Sequence, residues 1–228
     1  MPYFYFDWTY LILLPALILA GYAQAKVSST YSKYAKVAAR TGITASRMAR
    51  QLLDMNGLQD VAIQPVRGNL TDNYDPRHKV LHLSETSFNS SSVAALGVAA
   101  HECGHALQDA EGYAPLRIRN TMAPVASFGS SAAWIIFIIG LFGSIPALLD
   151  IGILCFVAVV AFQLVTLPVE FNASNRALAC LEGCGFLDGE ELTMTGKVLR
   201  AAALTYVAAA LMAILQLLRM LALSNRRR

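Results

Sequence analysis

His101, Glu102 and His105 lie in the run HECGH, inside a segment whose apolar pattern is compatible with a helix. Histidines spaced i, i+4 on a helix sit one turn apart on the same face, so both imidazoles can reach one Zn²⁺. Glu102, between them, is placed to polarise a metal-bound water and carry its proton. The pattern specifies metal-assisted hydrolysis, and it leaves a third protein ligand to be found.

The candidates for that ligand are few. His78 and His82 fall in a strand-like region, on one face at period two. They could bind metal, but exposed hairpin histidines are more often unliganded. Glu170, in TLPVEFNASNRAL, directly follows an apolar run and stands on the same side of the membrane as the metal helix. Pro168 suits the start of a new helix there, with Ala173, Ala177 and Leu178 continuing its face. On spacing alone, a solvated interfacial carboxylate is an equally good reading of Glu170.

The elements that must position these residues belong to a membrane protein. Of the 228 residues 56% are hydrophobic and only 14% charged, against about a quarter charged in soluble domains. Mean hydropathy is +0.48, and the apolar residues are bunched into runs. The spans are expected at about residues 8–25, 124–149, 151–167 and 201–223, with a turn near Ser144 to Asp150. Tyr3, Tyr5, Phe6, Trp8 and Tyr10 form an aromatic belt at the first span, which carries no cleavage signal and reads as retained. One domain over residues 1–228 is expected, because the polar segments, about 26–122 and 169–200, are each too short to bury a separate core.

Within the first polar segment, Thr44 to Met55 reads as an amphipathic helix. Ala45, Met48, Leu52 and Met55 share a face, and Gly57 stops it. Val61–Val66 and Lys79–Leu83 read as two strands of a β-hairpin around the turn-rich RGNLTDNYDPRH. An exposed strand edge near a metal can hold an extended peptide, although an ordinary packing hairpin is as good a reading. Ser91 or Ser92 caps the metal helix, whose apolar part is too short to span a bilayer before it meets Glu102.

Charge sets the expected topology. Lys26, Lys33, Lys36, Arg40, Arg47 and Arg50 follow the first span, and basic residues also populate 169–200, so both segments belong in the cytoplasm. Four full crossings would put Arg226–Arg228 outside, against the same rule, unless the last run does not fully cross. The net charge of +3, with no basic stretch interleaved with aromatics, argues against nucleic acid as a partner. Cys103, Cys155, Cys180 and Cys184 form no metal knuckle and no secreted-type framework, and Cys103 points away from the metal face.

The combination of HECGH with VTLPVEFNASNRAL, preceded by LTDNYDPRHKVLHLS, resembles the bacterial membrane-bound neutral zinc metallopeptidases of the YugP type, relatives of the M48 gluzincins. The resemblance implies one zinc per chain on His101, His105 and Glu170, with Glu102 as the catalytic base. It also exposes a departure. An aspartate commonly stands four residues after the ligand glutamate, to orient a ligand imidazole, and here that residue is Ser174. Asn172 and Asn175 are the other candidates for that task, while Arg176 and Tyr74 are candidates for stabilising the oxyanion. Arg176 and Tyr74 are each more readily read as structural or surface residues.

The expectation is therefore a mainly α, multi-span membrane protein with a small β-hairpin and a zincin-like metal helix at the cytoplasmic face of the plasma membrane. It would hydrolyse protein or peptide substrates there, in turnover or quality control of membrane proteins. A scaffold or assembly subunit with a structural zinc is the alternative. Loss of cleavage with retention of metal in Glu102→Gln separates the two.

Overall fold

The computed structural model describes residues 8–225, so Tyr3, Tyr5 and Phe6 of the aromatic belt and the Arg226–Arg228 tail lie outside the described residues. A 3₁₀ turn, Trp8–Leu13, leads into α1 (Leu14–Tyr34). There follow α2 (Ala45–Met55), β1 (Ala62–Val66), β2 (Asn73–Asp75), β3 (Val80–Ser84), α3 (Glu85–Phe88), α4 (Val93–Ala110), α5 (Ala114–Gly143), α6 (Pro146–Gly183) and α7 (Gly189–Asn225). Among the described residues four helical segments are long and apolar enough to cross a membrane: Trp8–Tyr34, Ala114–Gly143, Pro146–Gly183 and Gly189–Asn225.

The turn between the middle spans falls within the expected region but is shorter, and two prolines sit differently from the expectation. The break between the middle spans falls at Ser144 and Ile145, where Ser144 takes a left-handed φ of 54° and α6 begins at Pro146, so Asp150 is helical. Pro124 and Pro168 both lie inside helices and do not start them. Proline removes one helical donor, but in apolar surroundings breaking the helix would orphan more peptide groups than continuing it. Close by, Thr166 Oγ1 donates to the Phe162 carbonyl at 2.8 Å.

The chain divides into two compact units. One comprises the residues up to Ala23, Ile118–Leu167 and the residues from Thr205. Its core is Ala133, Phe137, Leu149, Phe156, Val159 and Met220. Small residues let α5 and α6 approach closely: a Cβ on Gly152 would stand 2.9 Å from that of Phe137. Large apolar side chains such as Phe128, Phe142 and Leu154 face outward, as lipid-covered helices require. Arg219 is buried, donates from Nε to Thr9 Oγ1 at 3.0 Å and lies 3.7 Å from the centre of the Tyr10 ring.

The other unit is Gln24–Arg117 with Pro168–Leu204. Its core gathers α2, the sheet, α4 and residues of α6 and α7, including Met48, Leu52, Leu81, Leu83, Leu96 and Leu181. In α2 the residues Ala45, Met48, Ala49, Leu52 and Leu53 are buried, while Met55, expected on the same face, is 65% exposed because the helix ends there. Asn56 and then Gly57, at φ 77°, turn the chain away.

The sheet corrects the expected hairpin. The two predicted runs do pair, but in parallel, with Ala62 opposite Val80 and Val66 opposite Ser84. The turn-rich connection holds a third strand, β2, which pairs antiparallel with β3, Tyr74 opposite Leu81. Strand order is β1-β3-β2. Parallel neighbours cannot be joined by a tight turn, so the connection runs past β3 and returns along its far edge. The buried Leu81 and Leu83 alternate with His82 on this central strand.

Candidate functional site

The metal helix α4 begins as its sequence requires. Ser92 caps it, its Oγ accepting from the Ala95 N–H at 3.2 Å. The helix is then buried on nearly every side, which is why small residues fill it. A Cβ on Gly97 would stand 2.5 Å from the Thr195 methyl, and one on Gly104 would stand 2.6 Å from the main-chain oxygen of Ala173. The second contact brings α4 and α6 together beside the HECGH run.

Helical spacing puts the His101 and His105 rings 4.8 Å apart, nearly perpendicular. Across from them on α6, Glu170 is 2% exposed. Its Oε2 lies 3.2 Å from His101 Nε2 and 3.7 Å from His105 Nε2. One ligating atom from each of the three residues falls within 4.8 Å of the others. Two imidazole nitrogens and one carboxylate oxygen, buried and converging, form a donor set that suits Zn²⁺ with an open coordination position. These residues fit zinc.

Glu102 is buried at 9% exposure, and that burial raises its carboxyl above the ordinary carboxylate range, against the opposing pull of both imidazoles. Burial works against charge on His105 too, but the Glu170 carboxylate outweighs it and raises the imidazole. Cys103 is fully buried on the other side of the helix, its Sγ 3.9 Å from the Ala49 carbonyl, and its thiol is pushed up by that burial.

Around the cluster, Ser174 Oγ lies 3.1 Å from His101 Nδ1, at the position where an aspartate is common. His105 Nδ1 lies 3.0 Å from Gln108 Oε1, a contact the sequence reading missed. Its only signal was that Gln108 falls one turn after His105 on the same helix face. Asn172 reaches Gln108, while Asn175 is exposed.

The remaining candidates are engaged elsewhere. Arg176 pairs with Glu111 through both terminal nitrogens, each at 2.6 Å, and donates from Nε to Asn172 Oδ1 at 2.7 Å. Tyr74, on β2, donates its hydroxyl to Asp109 Oδ2 at 3.0 Å. Burial first, then that carboxylate, raises the phenol, so it stays protonated and donating. His78 is exposed and paired with Asp75 at 2.6 Å, and His82 sits on β3; neither belongs to the cluster.

Four apolar helices and a buried cluster of two imidazoles and a carboxylate define a class: a helical membrane protein with a candidate zinc centre. The chain belongs to the family described as "Putative neutral zinc metallopeptidase", which it matches over residues 9–225. A protein of Bacillus subtilis (strain 168) described as "Putative membrane protease YugP" is 48% identical over 208 residues, which is 91% of this chain and 92% of that one. No solved structure matches the chain.

Proposed function

We propose that the chain is a membrane-embedded zinc endopeptidase of the gluzincin type, with His101, His105 and Glu170 as the metal ligands and Glu102 as the catalytic base. The observation that carries this is the approach of Glu170 Oε2 to both Nε2 atoms of the HECGH helix. When bound, one zinc per chain would supply Lewis-acid activation of water and of the scissile carbonyl. Glu102 takes the proton of the attacking water and returns it to the departing amine nitrogen. Its burial favours the protonated form it must reach in mid-reaction. Ser174 orients the His101 ring.

The substrate is a protein or peptide bound in extended form. The sheet supports this, because β2 is an edge strand tied to α4 through the Tyr74–Asp109 hydrogen bond. The basic residues that follow the first span, Lys26, Lys33 and Lys36 among them, favour a centre facing the cytoplasm at the plasma membrane. Turnover or quality control of membrane proteins suits that setting.

The test is metal analysis with proteolysis on purified protein. Wild type carries about one zinc and cleaves an unfolded protein substrate, while Glu102→Gln keeps the zinc and loses about 10²–10⁴-fold in rate. Undiminished cleavage by that variant overturns the mechanism. Zinc in the wild type without any cleavage favours a structural metal.

A further inference from the structure

We propose that Gln108 is a positioning residue that fixes His105 as the tautomer protonated on Nδ1, leaving the Nε2 lone pair directed at the metal position. The proposal rests on the zinc reading above and adds to it the device by which one ligand is prepared.

The polarity follows from groups that have only one hydrogen-bonding role. The Gln108 side chain is fully buried. Its amide nitrogen lies 2.9 Å from the Val169 main-chain oxygen and 2.9 Å from Asn172 Oδ1. A carbonyl can only accept, so the NH₂ of Gln108 faces α6 and the amide oxygen faces His105. An amide oxygen can only accept in turn, so the hydrogen of that 3.0 Å contact sits on His105 Nδ1.

The other end of the chain imposes the same direction. Arg176 Nε can only donate, and it donates to Asn172 Oδ1, so Asn172 shows an oxygen to Gln108 and requires the NH₂ there. Glu111 holds the Arg176 guanidinium by two bonds. Val169 and Arg176 thus set the Gln108 amide independently, and the result passes to the imidazole. His101 is held differently. Ser174 Oγ can donate or accept, so the contact at His101 Nδ1 dictates no tautomer.

The test uses the full-length protein with Gln108→Leu, which keeps the volume and removes both roles, and Gln108→Glu, whose carboxyl, protonated on the oxygen facing Val169 and Asn172, keeps one donor toward α6 and an acceptor opposite Nδ1. Nitrogen NMR of labelled histidine in the zinc-free form, recorded at a pH high enough that the His105 imidazole is neutral, should show a protonated Nδ1 and a bare Nε2 for His105 in the wild type. In Gln108→Leu that signal should move toward the Nε2–H form, and zinc affinity, measured by chelator competition, should fall about 10–100-fold. Gln108→Glu should hold the Nδ1–H signal and lose less than about tenfold in affinity. If Gln108→Leu lowers only the melting temperature, with the tautomer unchanged and zinc affinity within about twofold, Gln108 merely packs and the proposal is overturned. A wild type that binds no zinc overturns the zinc reading itself, and that outcome is visible before any variant is made.

Discussion

Gly104 presses its Cα side against the main-chain oxygen of Ala173, so closely that a methyl group on Gly104 would stand 2.6 Å from that oxygen. The atom in the way is backbone, and it cannot swing aside as a side chain could. This contact sets the separation of α4 and α6 at the level where His101 must meet Glu170. Gly104→Ala is therefore expected to cost about 1–3 kcal/mol of stability and to weaken zinc retention by pushing the helices apart. Cys103→Ala, one residue away but directed at Ala49, should lower stability while leaving the zinc content at the wild-type level. Thermal melts paired with metal analysis on the two variants check both halves. Equal zinc retention in both would show that the α4–α6 spacing does not govern the site.

Glu170 and Ser174 lie one turn apart on α6 and face His101 from two directions, Glu170 at Nε2 and Ser174 at Nδ1. Glu170→Gln keeps the shape and removes the charged member of the proposed ligand set, so zinc should no longer copurify. Ser174→Ala should keep zinc at reduced affinity, by about tenfold, the smaller end of the range for outer partners because a hydroxyl is a neutral orienter. Ser174→Asp should bind more tightly than wild type, since a carboxylate at Nδ1 makes the imidazole a more basic ligand. Chelator competition gives this order directly, and a Ser174→Asp variant weaker than Ser174→Ala would refute it.

Most of this geometry was legible where residue type and spacing carried the chemistry. HECGH named two candidate ligands and a candidate base, and the apolar runs named four candidate crossings. Glu170 was ambiguous by its place after an apolar run and was singled out by the resemblance that VTLPVEFNASNRAL carries, and Ser174 was legible only as a departure from a carboxylate. Gln108 was not legible, because a neutral glutamine carries no motif and its role exists only once Val169 and Asn172 are brought opposite it. The parallel pairing of β1 with β3 was hidden for a similar reason. Two strand-like runs around a turn-rich connection look alike whether they pair directly or with β2 between their ends in sequence. Pro168 misled locally, since its helix-starting tendency is overridden where an apolar helix must satisfy its own peptide groups.

Tyr74 and Arg176 offer a contrast between catalytic and supporting roles. Each polar end is already committed, Tyr74 to Asp109 and Arg176 to Glu111 and Asn172. An oxyanion donor would cost about 10²–10³ in kcat when removed. Tyr74→Phe is instead expected to leave kcat within about threefold and to cost roughly 0.5–1.5 kcal/mol of stability. Arg176→Met should lower zinc affinity through Asn172 and Gln108 more than it lowers kcat at saturating zinc. Steady-state kinetics at several zinc concentrations separate the two, and a loss of kcat that added zinc cannot restore would make either residue part of the reacting site.

Zinc should also stabilise the fold, because two imidazoles and a carboxylate from α4 and α6 converge only in the folded chain. At free zinc of about 100 Kd the gain is about 2.7 kcal/mol, so chelation should lower the melting temperature and readdition should restore it. Glu170→Gln should show no such response. The effect has a predictable pH sense. The Glu170 carboxylate raises His105 in the zinc-free form, so protonated His105 contributes stability at low pH that is lost as the pH rises through its folded-state pKa. Protons and zinc compete for the same nitrogen, so the zinc-dependent gain should shrink on acidification and grow toward neutral and alkaline pH. Melting curves with and without chelator across that range measure the difference. A zinc-dependent gain that is constant, or that increases as the pH falls, would mean that His105 is not a ligand.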